Sequence, residues 1–219
     1  MTIDRRRANA GLLAAALAAR PRLARAAEPQ SVVLPPPRTE GGLPLMQALA
    51  RRRSGRAYAD RTLRPQTLSD LLWAAFGVNR PDGGRTAPSW HGLMVTDLYV
   101  AAADGTWLYD PKRHRLLARG SADLRSHTGT QDFAGRAALN LVYVAHGERM
   151  TELDPAERRA MAAADAGVIG QNVYLFCASE GLATVLRAAV DGTALARRLA
   201  LPASQFVTFA QSVGYPGRG

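Results

Sequence analysis

Arg51-Arg52-Arg53-Ser54-Gly55-Arg56 sets four guanidiniums and one hydroxyl within six residues. Arginine's planar fork makes charge-assisted, often bidentate hydrogen bonds to phosphate oxygens, so a cluster of fixed spacing at a helix end suits a phosphate grip. An isolated R-R-x-S-x-R is equally a solvated basic turn. The run from Gly77 to Gly92 holds two prolines and four glycines, which marks a long functional or mobile loop. Other chemistries lack their parts: there is no Walker loop, no G-x-G-x-x-G, no H-E-x-x-H and no nucleophile elbow. Cys177 is the only cysteine, so no intramolecular disulfide can form, and its apolar neighbours make it a small core residue rather than a nucleophile. His91, His114, His127 and His146 lie apart without ligand spacing, and no metal centre is expected.

The elements that must position the arginines follow from periodicity. Leu45, Ala48 and Leu49 make one helical face after Pro44, and this helix delivers Arg52 to Arg56 at its C-terminal end, where cations also favour the helix dipole. Leu68, Leu71, Leu72, Ala75 and Phe76 give a second amphipathic helix with Gly77 as its stop. Met94 to Ala101 and Thr106 to Tyr109 read as a hairpin turned at Asp104-Gly105, His114 to Leu117 as a short edge strand, and Ala122 to Thr130 as a short helix. Leu139 to Ala145 suits a central strand buried on both faces. Pro155 to Ser179 is the longest helix, and its small residues between Ala160 and Gly170 would let a second helix approach closely. Leu182 to Val190, a helix over Thr193 to Leu199 and a last strand over Gln205 to Gly214 complete the chain. Strands and helices do not alternate regularly, which predicts an α+β fold.

The chain of 219 residues is long enough for one sizeable domain, and 47% apolar content supplies a core. A net charge of +10 invites a nucleic-acid partner, but half of it lies in residues 1–27, where Arg5, Arg6, Arg7, Arg20, Arg22 and Arg25 face only Asp4. With no zinc-finger spacing and no aromatic RNA-binding signature, nucleic-acid binding is a minor reading. Residues 1–27 combine an arginine head, a weakly apolar middle too short to span a membrane and an Ala24-Arg25-Ala26 cleavage signal. They resemble a twin-arginine export signal, although Ala8 and Asn9 stand where a large apolar residue usually follows. Export to the periplasm is the expectation, a basic leader on a cytoplasmic protein the alternative. Residues 28–42, with Pro35-Pro36-Pro37, read as an extended linker, and residues 43–219 as the folded domain.

Leu71-Leu-Trp-Ala-Ala-Phe-Gly-Val-Asn-Arg80, Arg85-Thr-Ala-Pro-Ser89, Gly129-Thr-Gln-Asp-Phe133, Gly170-Gln-Asn-Val-Tyr174, Ser179-Glu-Gly-Leu-Ala-Thr184 and Val213-Gly-Tyr-Pro216 occur in an order that resembles the FMN-dependent nitroreductase family. The likeness runs from about Arg38 to Pro216 and is nearest the nitroreductase-like branch with the SagB-type azoline-peptide dehydrogenases. It implies a mainly antiparallel sheet flanked by helices, a homodimer with FMN at the interface, and a small-molecule substrate. It also implies that Arg52, Ser54 and Arg56 contact the FMN phosphate and ribityl chain, and that Pro88, Ser89 and Trp90 reach the flavin ring across the dimer. Glu180, Gly181 and Leu182 would pass the flavin's reactive edge through their backbone, and Arg218 would add a phosphate contact. Flavin N5 would carry hydride in a ping-pong cycle, with no catalytic side chain. Gly181 is also a natural left-handed cap, Glu180 an exposed helix-end carboxylate and Trp90 a core anchor. Trp90, His91 and Gly92 depart from the Ala, variable residue and Asn common in relatives, and the lysine-tyrosine pair of azoline dehydrogenation is not recognisable. Two rivals remain: a non-catalytic flavin- or partner-binding module on the same scaffold, and a basic nucleic-acid binder.

Overall fold

The computed structural model describes residues 30–217. Ser31–Val33 (β1), Thr96–Ala102 (β2), Gly105–Asp110 (β3), Arg115–Gly120 (β4), Leu139–His146 (β5), Ala183–Arg187 (β6) and Gln205–Gly214 (β7) form one sheet in the order β1-β4-β3-β2-β5-β7-β6. Every strand pairing is antiparallel. The helices are Leu45–Arg51 (α1), Pro65–Phe76 (α2), Pro155–Glu180 (α3) and Gly192–Arg198 (α4), giving the α+β class expected.

All residues of β5 are buried, because both faces of the sheet are covered there. Leu139, Leu141 and Tyr143 pack with Leu71 of α2 and Ile169 and Val173 of α3, while Val142 and Val144 pack on Leu195 and Leu199 at α4. A near-continuous apolar run is what such a doubly covered strand requires. Leu71, Leu72, Ala75 and Phe76 of α2 are buried, and each fully buried large side chain is worth about 1.5–3 kcal/mol. α3 starts at a capping box. Asp154 accepts from the amides of Ala156 and Glu157, and Glu157 accepts from the Asp154 amide. It ends at Gly181, whose φ of 69° is the left-handed cap that the sequence suggests.

Several expectations are corrected. The proline-rich stretch belongs to the domain rather than linking to it. Ser31–Val33 pairs with β4, Leu34 is buried, and α2 holds the strap through Ser69 to Pro35 O (2.5 Å), Gln66 to Pro36 O (2.9 Å) and Asp70 to Arg38. Prolines lack donors but keep carbonyls, so polar side chains of a neighbouring helix can grip such a strap. The strand at His114–Leu117 is therefore not an edge, since β1 covers it. The short helix expected over Ala122–Thr130 is a 3-10 turn at Arg125–His127, with another at Asp132–Arg136. Packing decides this segment: a Cβ on Gly129 would collide with the guanidinium of buried Arg187, which donates to Thr128 O at 2.9 Å and Asn140 Oδ1 at 3.0 Å. Gly77 does stop α2, but with φ −72°, not a left-handed cap; a side chain there would collide with Trp73. On α1 only Ala48 of the expected face is buried, while Leu45 and Leu49 remain 62% and 42% exposed. Gly170 packs against Gln211 and Leu186 of its own chain, whereas Gly167 faces open space.

Candidate functional site

The loop after α1 lies along the free side of β6, the last strand of the sheet. Gly55 N–H donates to Thr184 O at 2.9 Å, and a Cβ at Gly55 would stand only 3.0 Å from Ala183 Cβ, so glycine permits this approach. Tyr58 donates to Gly55 O at 2.9 Å and clamps the turn. The chain then runs beside the C-terminal segment: Ala59 N–H donates to Tyr215 O at 2.9 Å and Gly217 N–H to Ala57 O at 3.0 Å. Arg218 lies outside the described residues.

These contacts enclose a cavity of about 630 Å³ lined by Arg51, Arg52, Arg53 and Arg56 on one side and by Gly181 and Leu182 on another. Among the described residues no carboxylate lines it. Its size falls within the range of small-molecule sites. Tyr174 of α3 forms part of its wall and organises the loop. The Tyr174 hydroxyl is 2.9 Å from Ser54 Oγ and accepts from Leu186 N–H at 2.9 Å, and the Arg52 guanidinium stands 5.4 Å from its ring centroid. Cys177 also borders the cavity, but it is fully buried, and burial pushes its thiol far above the ordinary value. It stays protonated and is no nucleophile.

Pro88, Ser89 and Trp90 do not line this cavity. Ser89 Oγ donates to Asp165 Oδ2 at 2.6 Å, and Trp90 N–H is 3.1 Å from both oxygens of the same carboxylate. Val95 N–H in turn donates to Ser89 Oγ at 3.1 Å. Trp90 packs against a small cluster of Val95, Ala145, Met150 and Ala162, beside His91 with ring centroids 4.4 Å apart. His91, Gly92 and Met94 all have positive φ, so the loop coils tightly at this point. Glu180 also turns away from the arginines. Its carboxylate is 3.5 Å from Arg38, in a separate cavity of about 390 Å³ walled partly by Trp73 and Phe176.

Thus one cavity brings together Arg52, Arg56, Gly181 and Leu182; Ser54 stands between Arg53 and Gly55, which line it, and its hydroxyl pairs with Tyr174, while Pro88, Ser89, Trp90 and the Glu180 side chain lie elsewhere. The sequence reading missed Tyr174 and Asp165 as organisers of the two loops. Asp165 carried a signal, since it lies on the buried stripe of α3 with Ala162, Ile169 and Val173, where an unpartnered carboxylate is costly. Tyr174 carried none beyond its place in the Gly170–Tyr174 motif.

The nitroreductase family pattern matches residues 49–215, which include the whole arginine loop and both ends of α3. The chain belongs to the nitroreductase family. A nitroreductase homologue of Methanocaldococcus jannaschii is 31% identical over 151 residues, spanning 64% of this chain and 76% of that protein. The crystal structure of a nitroreductase homologue from Ralstonia eutropha JMP134 is similar at 44% identity and a TM-score of 0.82, covering 86% of this chain and 90% of that one. The NADPH:FMN oxidoreductase of Vibrio harveyi, solved with NAD+, shares the fold at a TM-score of 0.59 and 20% identity, over 80% of this chain and 69% of that one. Among the described residues no helix is long and apolar enough to cross a membrane, and no cluster of metal-ligating side chains occurs.

Proposed function

We propose that this nitroreductase-family protein is an FMN-dependent oxidoreductase that passes reducing equivalents to or from a small organic substrate. The carrying observation is the cavity lined by four arginines and, among the described residues, by no carboxylate, with left-handed Gly181 in its wall. That donor set fits a phosphate monoester: Arg52 and Arg56 supply charge, Gly55 lets the backbone approach β6, and Ser54, next in the chain to lining residues Arg53 and Gly55, would add a hydroxyl. FMN, when bound there, would supply two-electron redox chemistry at N5, in keeping with a ping-pong exchange between a donor and an acceptor. The arginines would hold the phosphate, and the backbone at Gly181 and Leu182, which line the same cavity, would border the ring, with Glu180 beside them in the chain. Arg218 would extend the basic wall beyond Gly217. Membership of the SagB-type branch stays part of this proposal.

The protein is proposed to act as a homodimer, with Pro88, Ser89 and Trp90 completing the partner's site. Two observations support this: those residues stand apart from their own chain's arginine cavity, and α1 leaves Leu45 and Met46 62% and 74% exposed. Gly167 on α3 has open space beside it and Val168 is 41% exposed, which suits a seam. Gly167→Leu should then remove dimer and flavin together; a folded monomer with full FMN affinity would overturn the shared site.

The leader in residues 1–27 lies outside the described residues, and export by the twin-arginine route is proposed from its composition. Replacing Arg5, Arg6 and Arg7 by lysine should block export, and normal export of that variant would overturn it. An exported enzyme would have no free NAD(P)H and would need another donor.

The deciding experiment is the absorption spectrum of the purified protein, followed by identification of the heat-released chromophore. A yellow protein releasing FMN rather than FAD is expected. A colourless protein that also fails to bind added FMN would defeat the reading, while bound flavin without turnover would leave a binding module.

A further inference from the structure

We propose that Tyr174 is a positioning residue that fixes the direction of a hydrogen-bond chain ending on Ser54, so that Ser54 offers its proton to the FMN phosphate. This rests on the phosphate-binding reading of the arginine cavity.

The direction follows from the groups involved. β6 is an edge strand, so alternate amides face away from β7, and the Leu186 amide would otherwise lack a partner there. It donates to the Tyr174 hydroxyl at 2.9 Å. An amide can only donate, so the phenol oxygen is the acceptor of that bond and its own proton must go elsewhere. Between the phenol and Ser54 Oγ, 2.9 Å apart, either hydroxyl can donate, and the inferred direction is phenol to serine, because the amide's bond polarises the phenol O–H. With its oxygen so engaged, Ser54 keeps its O–H for a further acceptor. Each bond in such a chain polarises the next, which strengthens the last donor. Tyr174 also holds the neighbouring arginine, since the Arg52 guanidinium stands 5.4 Å from its ring centroid. One side chain on α3 thus ties the hydroxyl and a cation of the loop to the backbone of β6. Ser54 and Tyr174 are 120 residues apart in sequence, so this is a tertiary device.

The test compares FMN with riboflavin, which lacks the phosphate, on the full chain freed of flavin. Tyr174→Phe keeps the ring over Arg52 but removes the hydroxyl. It should weaken FMN binding about two- to tenfold, the range of a single hydrogen bond between uncharged groups such as the phenol and Ser54, and leave riboflavin binding unchanged. In a Ser54→Ala background the same substitution should add less than about twofold, because the chain has already lost its end. Equal losses for FMN and riboflavin, additive losses in the double variant, or no loss would each overturn the relay. A measurement on the unaltered protein needs no variant to fold: FMN, but not riboflavin, should slow hydrogen exchange at the Leu186 amide. Equal slowing by both flavins would overturn the inference. If the unaltered protein binds riboflavin as tightly as FMN, the phosphate reading itself fails, and the relay with it.

Discussion

Between Arg52 and Arg56 the chain offers cations that no carboxylate among the described residues of the cavity neutralises, whereas at Pro88–Trp90 every polar group named above is already paired with Asp165 or Val95. The first loop is held by backbone contacts to β6 and to the C-terminal segment and by Ser54 and Arg52 against Tyr174, and its arginines line the cavity. The second is held through its side chain and leading amide, so what it can present outward is shape: a proline, an indole and a coiled backbone. Closely spaced charged residues therefore line a cavity in one loop, while in the other a polar residue of the same kind is structural. A serine in a motif is informative only when its partner is known.

The largest effect should come from Asp165→Ala. It leaves the Ser89 hydroxyl and the Trp90 amide without an acceptor, at about 1–3 kcal/mol each, so unfolding by urea should show a loss of about 2–6 kcal/mol. A loss below about 1 kcal/mol would mean that the second loop is held by other contacts. Arg56→Ala should do the reverse. FMN affinity should fall about 10- to 100-fold, while the urea midpoint of the flavin-free protein stays unchanged. Unchanged affinity would reduce the arginine loop to a solvated turn.

The two glycines of α3 sharpen the contrast between packed and open faces. A side chain at Gly170 would meet Gln211 Oε1 and Leu186 Cδ1 at 3.2 Å, so Gly170→Leu should cost about 1–3 kcal/mol in the flavin-free protein. Gly167→Ala meets nothing within 4 Å and should gain about 0.5–1 kcal/mol from helix propensity, unless a partner covers that face. A destabilised Gly167→Ala dimer would point to a close contact across the seam.

The smallest effect concerns His146, which has carboxylates where the arginine cavity has none. Burial pulls its pKa down, but Asp97 at 2.9 Å from Nε2 and Glu148 at 2.7 Å from Nδ1 outweigh burial and nearby Arg149, leaving it above the ordinary value. The folded state binds this proton more tightly, so the stabilisation is complete below the unfolded value of about 6.5 and fades as pH rises through the folded one. The stability difference between the unaltered protein and His146→Gln should be larger near about pH 6 than near about pH 9. A difference that does not change with pH would show that the imidazole stays neutral.

The elements were legible where local rules decide them. The stripe from Leu68 to Phe76, the apolar run of β5 and the glycine after α3 are each read over a few residues, because helix period, strand burial and cap geometry are local. Legibility failed where a partner from elsewhere decides. The segment at Ser31–Val33 became a strand only because β4 was available, and Gly77 proved to be a matter of Trp73 rather than of φ.

By itself the sequence determined the class of fold, the cluster of arginines and the hydroxyl at Ser54, since composition and spacing are properties of a short stretch of chain. The tertiary structure alone decided which of those groups remain free. Ser54 meets Tyr174 from 120 residues away, and Ser89 meets Asp165 from 76. Hydrogen bonding between such groups depends on the direction and distance that packing of α3 against the sheet imposes, and no local rule encodes either.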